Sequence, residues 1–128
     1  MIRGGLARQD TRAGEGGVFM ALIDDLIQSK YLKTPEIINA FKKIKRGDFL
    51  LPGDEDKQEI NAPLPIGYGQ TISQPLTVAF MFELLQPKKG DKILDAGSGS
   101  GWTTAMLSEI VGEQGRVYGI ERVKELKP

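Results

Sequence analysis

In the last third of the chain, an acidic residue lies two positions before the first of three closely spaced glycines, Asp95-Ala96-Gly97-Ser98-Gly99-Ser100-Gly101. A dinucleotide-binding fingerprint needs glycine at the first, third and sixth positions, the last for close packing of helix on strand. Here Trp102 occupies the sixth position, and tryptophan cannot pack so closely. A phosphate-binding loop needs Gly-Lys followed by Ser or Thr, which the run lacks. Both kinds of nucleotide-phosphate site are therefore disfavoured.

The acidic residue before the glycines indicates a cationic ligand. Asp95 would repel a pyrophosphate, whereas S-adenosylmethionine has no phosphate and carries an ammonium and a sulfonium group. We expect Gly97, Gly99 and Gly101 to let the backbone approach such a ligand, with Asp95 organising its amino-acid end directly or through water. Glu121 ends the next predicted strand, where a carboxylate can accept hydrogen bonds from both ribose hydroxyls. A plain strand-to-helix turn is the alternative interpretation of the glycines.

Two hydroxyl side chains lie upstream in a glycine-flanked segment, Gly67-Tyr68-Gly69-Gln70-Thr71-Ile72-Ser73-Gln74-Pro75. From the residues alone, Ser73 is a candidate N-cap for a helix that begins near Gln74, and Thr71 is a loop hydroxyl. A role for both hydroxyls in a reactive cleft is the other interpretation. The two roles can coexist.

The composition limits the chemistry that remains open. The chain has 128 residues, of which 40% are hydrophobic, which fits one domain with a packed core. It contains no cysteine and no histidine, which excludes disulfides, thiolate or imidazole metal sites and Cys or His catalysis. The 17 basic residues balance the 17 acidic ones, so a nucleic-acid partner is disfavoured. Without a spanning or export segment, we expect a cytoplasmic protein with no metal and no membrane partner.

Hydrophobic periodicity predicts that residues 20–90 form a helical region that also carries the two hydroxyl side chains. Apolar stripes indicate three helices, beginning near Ala21, Thr34 and Gln74. The second helix ends in a basic cluster that includes Arg46. Because cations complement the helix dipole at this end, we expect the whole cluster to be solvated.

Two segments are predicted to lack regular structure. Prolines and glycines punctuate residues 63–73, which we expect to form an irregular loop. Residues 1–19 are rich in glycine and poor in apolar residues, and we expect them to form a disordered leader.

Residues 91–128 carry the pattern of one βαβ unit. It predicts a strand at residues 92–96, a helix at residues 102–111 and a second strand at residues 116–120. Because parallel sheets bury both faces, the first strand is predicted to be buried. Parallel sheets rarely stop at two strands, so we expect the front portion of a longer α/β domain.

Four stretches of the sequence resemble the protein-L-isoaspartate O-methyltransferase family. The similarity extends from about Ala21 to Lys127. The motif Thr-Ile-Ser is specific to that family, whereas most class I methyltransferases share the glycine loop. The matching stretches are RGDFLLP from Arg46, GQTISQP from Gly69, GDKILDAGSGSGWTTAMLSEIVG from Gly90 and VYGIER from Val117.

The resemblance implies a Rossmann-like class I methyltransferase fold of the α/β class, truncated after the second parallel strand and preceded by a helical region. It implies that Ser73 and Thr71 are the catalytic hydroxyls, and that S-adenosyl-L-methionine is the methyl donor. The residues implied to bind this cofactor are Gln70, Thr71, Ser73, Asp95, Gly97, Ser98, Gly99, Gly101, Glu121 and Arg122.

The family's reaction implies methyl transfer to the free α-carboxylate of L-isoaspartyl residues in damaged proteins, a form of protein repair. The implied partners are isoaspartyl-containing proteins or peptides, and the full-length protein is expected to be a monomer. Two alternatives stay open: a class I methyltransferase with another acceptor, and a truncated, non-catalytic fragment.

Overall fold

The computed structural model describes residues 14–126. Within them, four α-helices and two separate pairs of strands form the main elements. Short 3-10 helices span Arg46–Phe49, Glu55–Lys57 and Lys124–Leu126. In chain order the main elements are α1 (Gly14–Gln28), α2 (Pro35–Lys43), β1 (Leu64–Gly67), β2 (Gln70–Ile72), α3 (Pro75–Leu85), β3 (Lys92–Ala96), α4 (Trp102–Val111) and β4 (Arg116–Ile120).

Helix α1 starts earlier than the apolar pattern predicts. It begins at Gly14 rather than near Ala21, and so includes residues 14–19 of the predicted leader. The apolar stripe anchors the helix through the buried Ile23 and Leu26, and extending an anchored helix costs less than starting a new one. Residues 1–13 of the predicted leader lie outside the described residues. None of the helices within residues 14–126 has the length and apolar character that crossing a bilayer requires.

The basic end of α2 is only partly solvated, which corrects the sequence prediction. Lys42, Lys43 and Lys45 are exposed, and Lys43 forms a 3.0 Å ion pair with Glu109 of α4. Arg46 is buried, because the chain leaves the helix at Ile44 and turns into the first 3-10 helix.

The segment predicted to be irregular contains an antiparallel hairpin. Strands β1 and β2 pair from Leu64 with Ile72 to Gly67 with Gln70, with a register irregularity after Pro65. The two-residue turn has positive φ at Tyr68 (57°) and Gly69 (71°), as in the type I′ turns that suit hairpins. The prolines conceal these strands in the sequence because they interrupt the usual strand pattern.

Strands β3 and β4 are parallel and in register from Lys92 with Arg116 to Ala96 with Ile120, and α4 connects them. This βαβ unit has the predicted bounds. The predicted burial of β3 is wrong: Leu94 is 64% exposed. Only one face, with Ile93 and Val117, packs against the core; no described element covers the other face.

Trp102 anchors the glycine loop to the hydrophobic core. It is the first residue of α4 and is buried, with its ring edge-to-face against Phe41 of α2 at 5.8 Å. Phe41 packs in the same way against Phe82 of α3 at 6.2 Å. Aromatic side chains of three helices therefore meet directly behind the loop.

Candidate functional site

A cleft of about 510 Å³ opens where β3 and β4 end. Open α/β sheets bind ligands outside the carboxyl ends of their strands. Strand β2, the glycine loop and the residues after β4 converge on this cleft. Its lining residues are Gln70, Thr71, Gly97, Gly99, Ile120, Glu121 and Arg122.

The glycine loop has a backbone conformation that requires glycine. Gly97, Gly99 and Gly101 have φ values of 72°, 57° and 101°, which strain most other residues. The backbone N–H groups of Gly97 and Ser98 both donate to the Ile120 carbonyl, at 2.8 and 3.0 Å. The loop is thereby fixed to the end of β4, with two of its glycines facing the cleft.

Glu121 also connects β4 to the glycine loop. Its Oε1 accepts a hydrogen bond from the Gly99 N–H, and its Oε2 accepts one from the Val123 N–H, both at 2.8 Å. These backbone donors lower the pKa of Glu121, Val123 contributing most, so the side chain is ionised at neutral pH. A carboxylate has about four acceptor positions, so each oxygen retains capacity for a ligand hydroxyl.

Two hydroxyls of α4 fix the side chain of Asp95. Thr103 and Thr104 donate to its Oδ2 at 2.7 and 2.6 Å, and Oδ1 accepts no hydrogen bond from the described part of the chain. Sequence reasoning missed both threonines. Their position in the sequence could have identified them. Both lie in the first turn of the helix that follows the glycine loop, and this turn lies close to the end of β3.

The two predicted catalytic hydroxyls are both exposed but differ in position. Thr71 lies in β2 and lines the cleft. Ser73 lies between β2 and α3 and is outside the cleft lining, as are Asp95, Ser98 and Gly101. The capping interpretation of Ser73 is wrong, because Gln74 is the N-cap of α3 and the first-turn N–H of Leu76 donates at 3.0 Å to Oδ1 of Asn61 instead.

Comparison with solved structures defines the class of protein as a Rossmann-like methyltransferase. A Plasmodium falciparum protein assigned as a protein-L-isoaspartate O-methyltransferase, crystallised with S-adenosyl-L-homocysteine, superposes with a TM-score of 0.75 at 27% identity. The match covers 84% of this chain and 50% of that one. A second protein-L-isoaspartate O-methyltransferase structure gives a TM-score of 0.73 at 28% identity, over 84% of this chain and 35% of the other.

The chain belongs to the protein-L-isoaspartate O-methyltransferase family. The family model described as protein-L-isoaspartate(D-aspartate) O-methyltransferase matches residues 19–128, which confirms the resemblance. The protein-L-isoaspartate O-methyltransferase of Ignicoccus hospitalis is 44% identical over 105 residues, covering 82% of this chain and 50% of the relative. The Methanopyrus kandleri enzyme is 41% identical, covering 82% and 46%. The chain thus spans about half the length of the curated relatives it matches.

Proposed function

We propose that this protein transfers a methyl group from S-adenosyl-L-methionine to the free α-carboxylate of L-isoaspartyl residues in damaged proteins or peptides. One observation carries the proposal. The hairpin strand with the hydroxyl of Thr71 and the acid-flanked glycine loop line the same cleft. This arrangement would put the site for a cationic donor next to the site for an anionic acceptor.

The residues of the cleft fit the donor. Its volume, about 510 Å³, lies within the usual range for small-molecule sites. Gly97 and Gly99 would let the backbone approach the bound molecule, and Glu121 would accept from its ribose hydroxyls. Arg122 and Gln70 complete the lining. Asp95, Ser98 and Gly101 lie outside the lining; Asp95 would attract the ammonium group directly or through water, and the other two would shape the loop. When bound, S-adenosylmethionine supplies the methyl group.

The acceptor needs no general base, so a chain without histidine has the groups required. An α-carboxylate has a reference pKa of about 3.5 and is ionised at neutral pH. Thr71 and Ser73 would donate hydrogen bonds to it and orient one oxygen towards the methyl group. Alignment and exclusion of water are then the main contributions of the protein to the rate.

Further aspects follow from the family and the sequence alone. We propose isoaspartyl-containing proteins as the partners, a monomeric state for the full-length protein and a cytoplasmic location. No nucleic acid, membrane or metal is required by the proposed reaction.

The test compares methyl transfer to an isoaspartyl peptide and to the matching aspartyl peptide. We expect transfer to the isoaspartyl peptide alone. Ser73→Ala should lower turnover roughly 10- to 100-fold, as expected for a lost hydrogen bond to a charged group. Its affinity for S-adenosylhomocysteine should stay within a few-fold of the parent value, and Ser108→Ala, at an exposed serine of α4, should change neither. Equal loss of turnover and affinity, or transfer to a different acceptor, would contradict the proposal.

A further inference from the structure

Arg46 is buried beneath the hairpin and binds three backbone carbonyls. It is 5% exposed and is the one charged residue in the described core. Its Nη1 donates to the Ile60 carbonyl at 2.8 Å, and its Nη2 donates to the Ala62 carbonyl at 2.7 Å and to the Ser73 carbonyl at 3.0 Å. The guanidinium also lies 5.4 Å from the centre of the Trp102 ring.

The geometry of Nη2 defines what Arg46 holds. Strand β1 begins at Leu64 and β2 ends at Ile72, so Ala62 and Ser73 flank the two open ends of the hairpin. A single nitrogen atom binds the carbonyls of both flanking residues. Arg46 therefore closes the base of the hairpin from inside the core.

Burying the Arg46 guanidinium beneath the hairpin costs desolvation free energy. Desolvation lowers the pKa of Arg46 to about 10, although the group stays protonated at neutral pH. Among the described residues no carboxylate pairs with it, and its Nε has no hydrogen-bond partner. An apolar side chain of similar length would avoid the desolvation cost but could not bind three carbonyls. The feature that distinguishes arginine here is its rigid fork of donors.

We propose that Arg46 is a positioning residue that sets Ser73 and Thr71 relative to the glycine loop. The proposal rests on the function proposed above for those hydroxyls. The Nη2 of Arg46 fixes the Ser73 carbonyl just after β2, and the central carbon of its guanidinium lies over the ring of Trp102, which directly follows the loop. Arg46 thus links the acceptor side of the site to the donor side, without contact with either substrate.

The test uses Arg46→Lys, which keeps the charge but replaces the fork with a single nitrogen. Arg116→Lys, at an exposed arginine of β4, is the matched control. For Arg46→Lys we expect kcat on the isoaspartyl peptide to fall about tenfold or more. Its KM should change less, and its affinity for S-adenosylhomocysteine should stay within about threefold. Unchanged kcat, or a proportional loss of kcat and affinity, would overturn the proposal.

Chemical rescue covers the case in which substitution impairs folding. In Arg46→Ala, added methylguanidinium should restore turnover in a saturable manner, and it should have no effect on Arg116→Ala. A folding defect in both Arg46 variants that methylguanidinium does not reverse would show that Arg46 serves stability alone. That result would also overturn the proposal.

Amide hydrogen exchange separates this proposal from the proposed function. Arg46→Lys should speed exchange in Gln70–Ile72 about tenfold while leaving Lys92–Ala96 unchanged, whatever the acceptor is. The parent protein could methylate no isoaspartyl peptide while Arg46→Lys still exchanges faster than the parent in Gln70–Ile72. In that case the proposed function fails and the positioning role stands. If exchange in the hairpin does not change, the positioning role fails.

Discussion

The Glu121 carboxylate accepts a hydrogen bond from the Gly99 N–H at 2.8 Å and so connects the end of β4 to the middle of the glycine loop. The second oxygen accepts from Val123, which fixes the chain beyond the strand. One side chain therefore shapes the loop and presents acceptors to the cleft. A change at Glu121 should therefore affect ligand binding in two ways, by altering the loop conformation and by removing hydrogen-bond acceptors for the ligand.

Replacing Glu121 with glutamine should weaken binding of S-adenosylhomocysteine about tenfold or more. An amide has one acceptor oxygen, so it cannot accept from Gly99 and Val123 at separate oxygens and still serve the ribose. Titration calorimetry measures the effect, with Glu125→Gln, at an exposed acid nearby, as the control. Parent-like affinity in Glu121→Gln would show that the ligand does not depend on this carboxylate.

A second prediction concerns Glu59, whose carboxylate accepts a hydrogen bond from the Leu22 N–H at 2.8 Å. The pKa of Glu59 is raised from 4.5 to about 7, chiefly because burial desolvates its carboxylate; the Leu22 hydrogen bond opposes this rise, and the charges of Asp24 and Asp25 add to it. Between these two pH values the folded protein binds more protons than the unfolded chain. The contribution of Glu59 to stability therefore falls as pH rises from about 4.5 to about 7.

Glu59→Gln should remove this pH dependence. Between pH 5 and pH 8 the free energy of unfolding should fall less in Glu59→Gln than in the parent protein. Allowing for partial solvent screening, we expect the difference between the two proteins to be about 1–2 kcal/mol. Urea denaturation at the two pH values measures it, with Asp56→Asn, at an exposed acid, as the control. An identical pH slope in Glu59→Gln and the parent would refute the assignment.

The hairpin turn offers a stabilising substitution. Tyr68 has a φ of 57° and is 62% exposed, so its backbone is strained and its ring contributes little burial. Asparagine is preferred at this turn position, and Tyr68→Asn should raise the free energy of unfolding by roughly 0.5–1 kcal/mol. Tyr31→Asn, at an exposed tyrosine outside such a turn, should give no gain. A loss of stability in Tyr68→Asn would mean that contacts of the tyrosine ring stabilise the fold by more than the backbone strain destabilises it.

Gly119 provides a test of the contact between β4 and α4. A Cβ atom there would lie 2.9 Å from the Thr104 hydroxyl, which binds Asp95, and 3.2 Å from the Thr104 methyl group. Gly119→Ala should therefore lower stability by about 1–3 kcal/mol. In a Thr104→Ala background the same change should cost much less, which a double-mutant cycle of thermal unfolding measures. Equal costs in the two backgrounds would exclude this contact as the cause.

The parts of the fold that sequence predicted are those with a local signal. The βαβ unit was predicted with its bounds because an apolar run, three glycines and a helical stripe follow one another. The hairpin was missed because Pro63 and Pro65 mark breaks and because Tyr68 stands where asparagine would identify the turn.

The features that the sequence does not predict depend on contacts between residues distant in sequence. An arginine beside three lysines has the pattern of a solvated helix end, and nothing local shows that Arg46 meets carbonyls from Ala62 and Ser73. The exposure of Leu94 was also unpredictable, because burial of a strand depends on which elements cover each face.

Titration calorimetry with S-adenosylhomocysteine, run in parallel with NAD, tests the central claim most directly. The acid before the glycines and the tryptophan after them should favour the phosphate-free ligand. We expect saturable heat with S-adenosylhomocysteine that Gly99→Val abolishes, and none with NAD. Heat with NAD and none with S-adenosylhomocysteine would contradict the assignment of this cleft to a methyl donor.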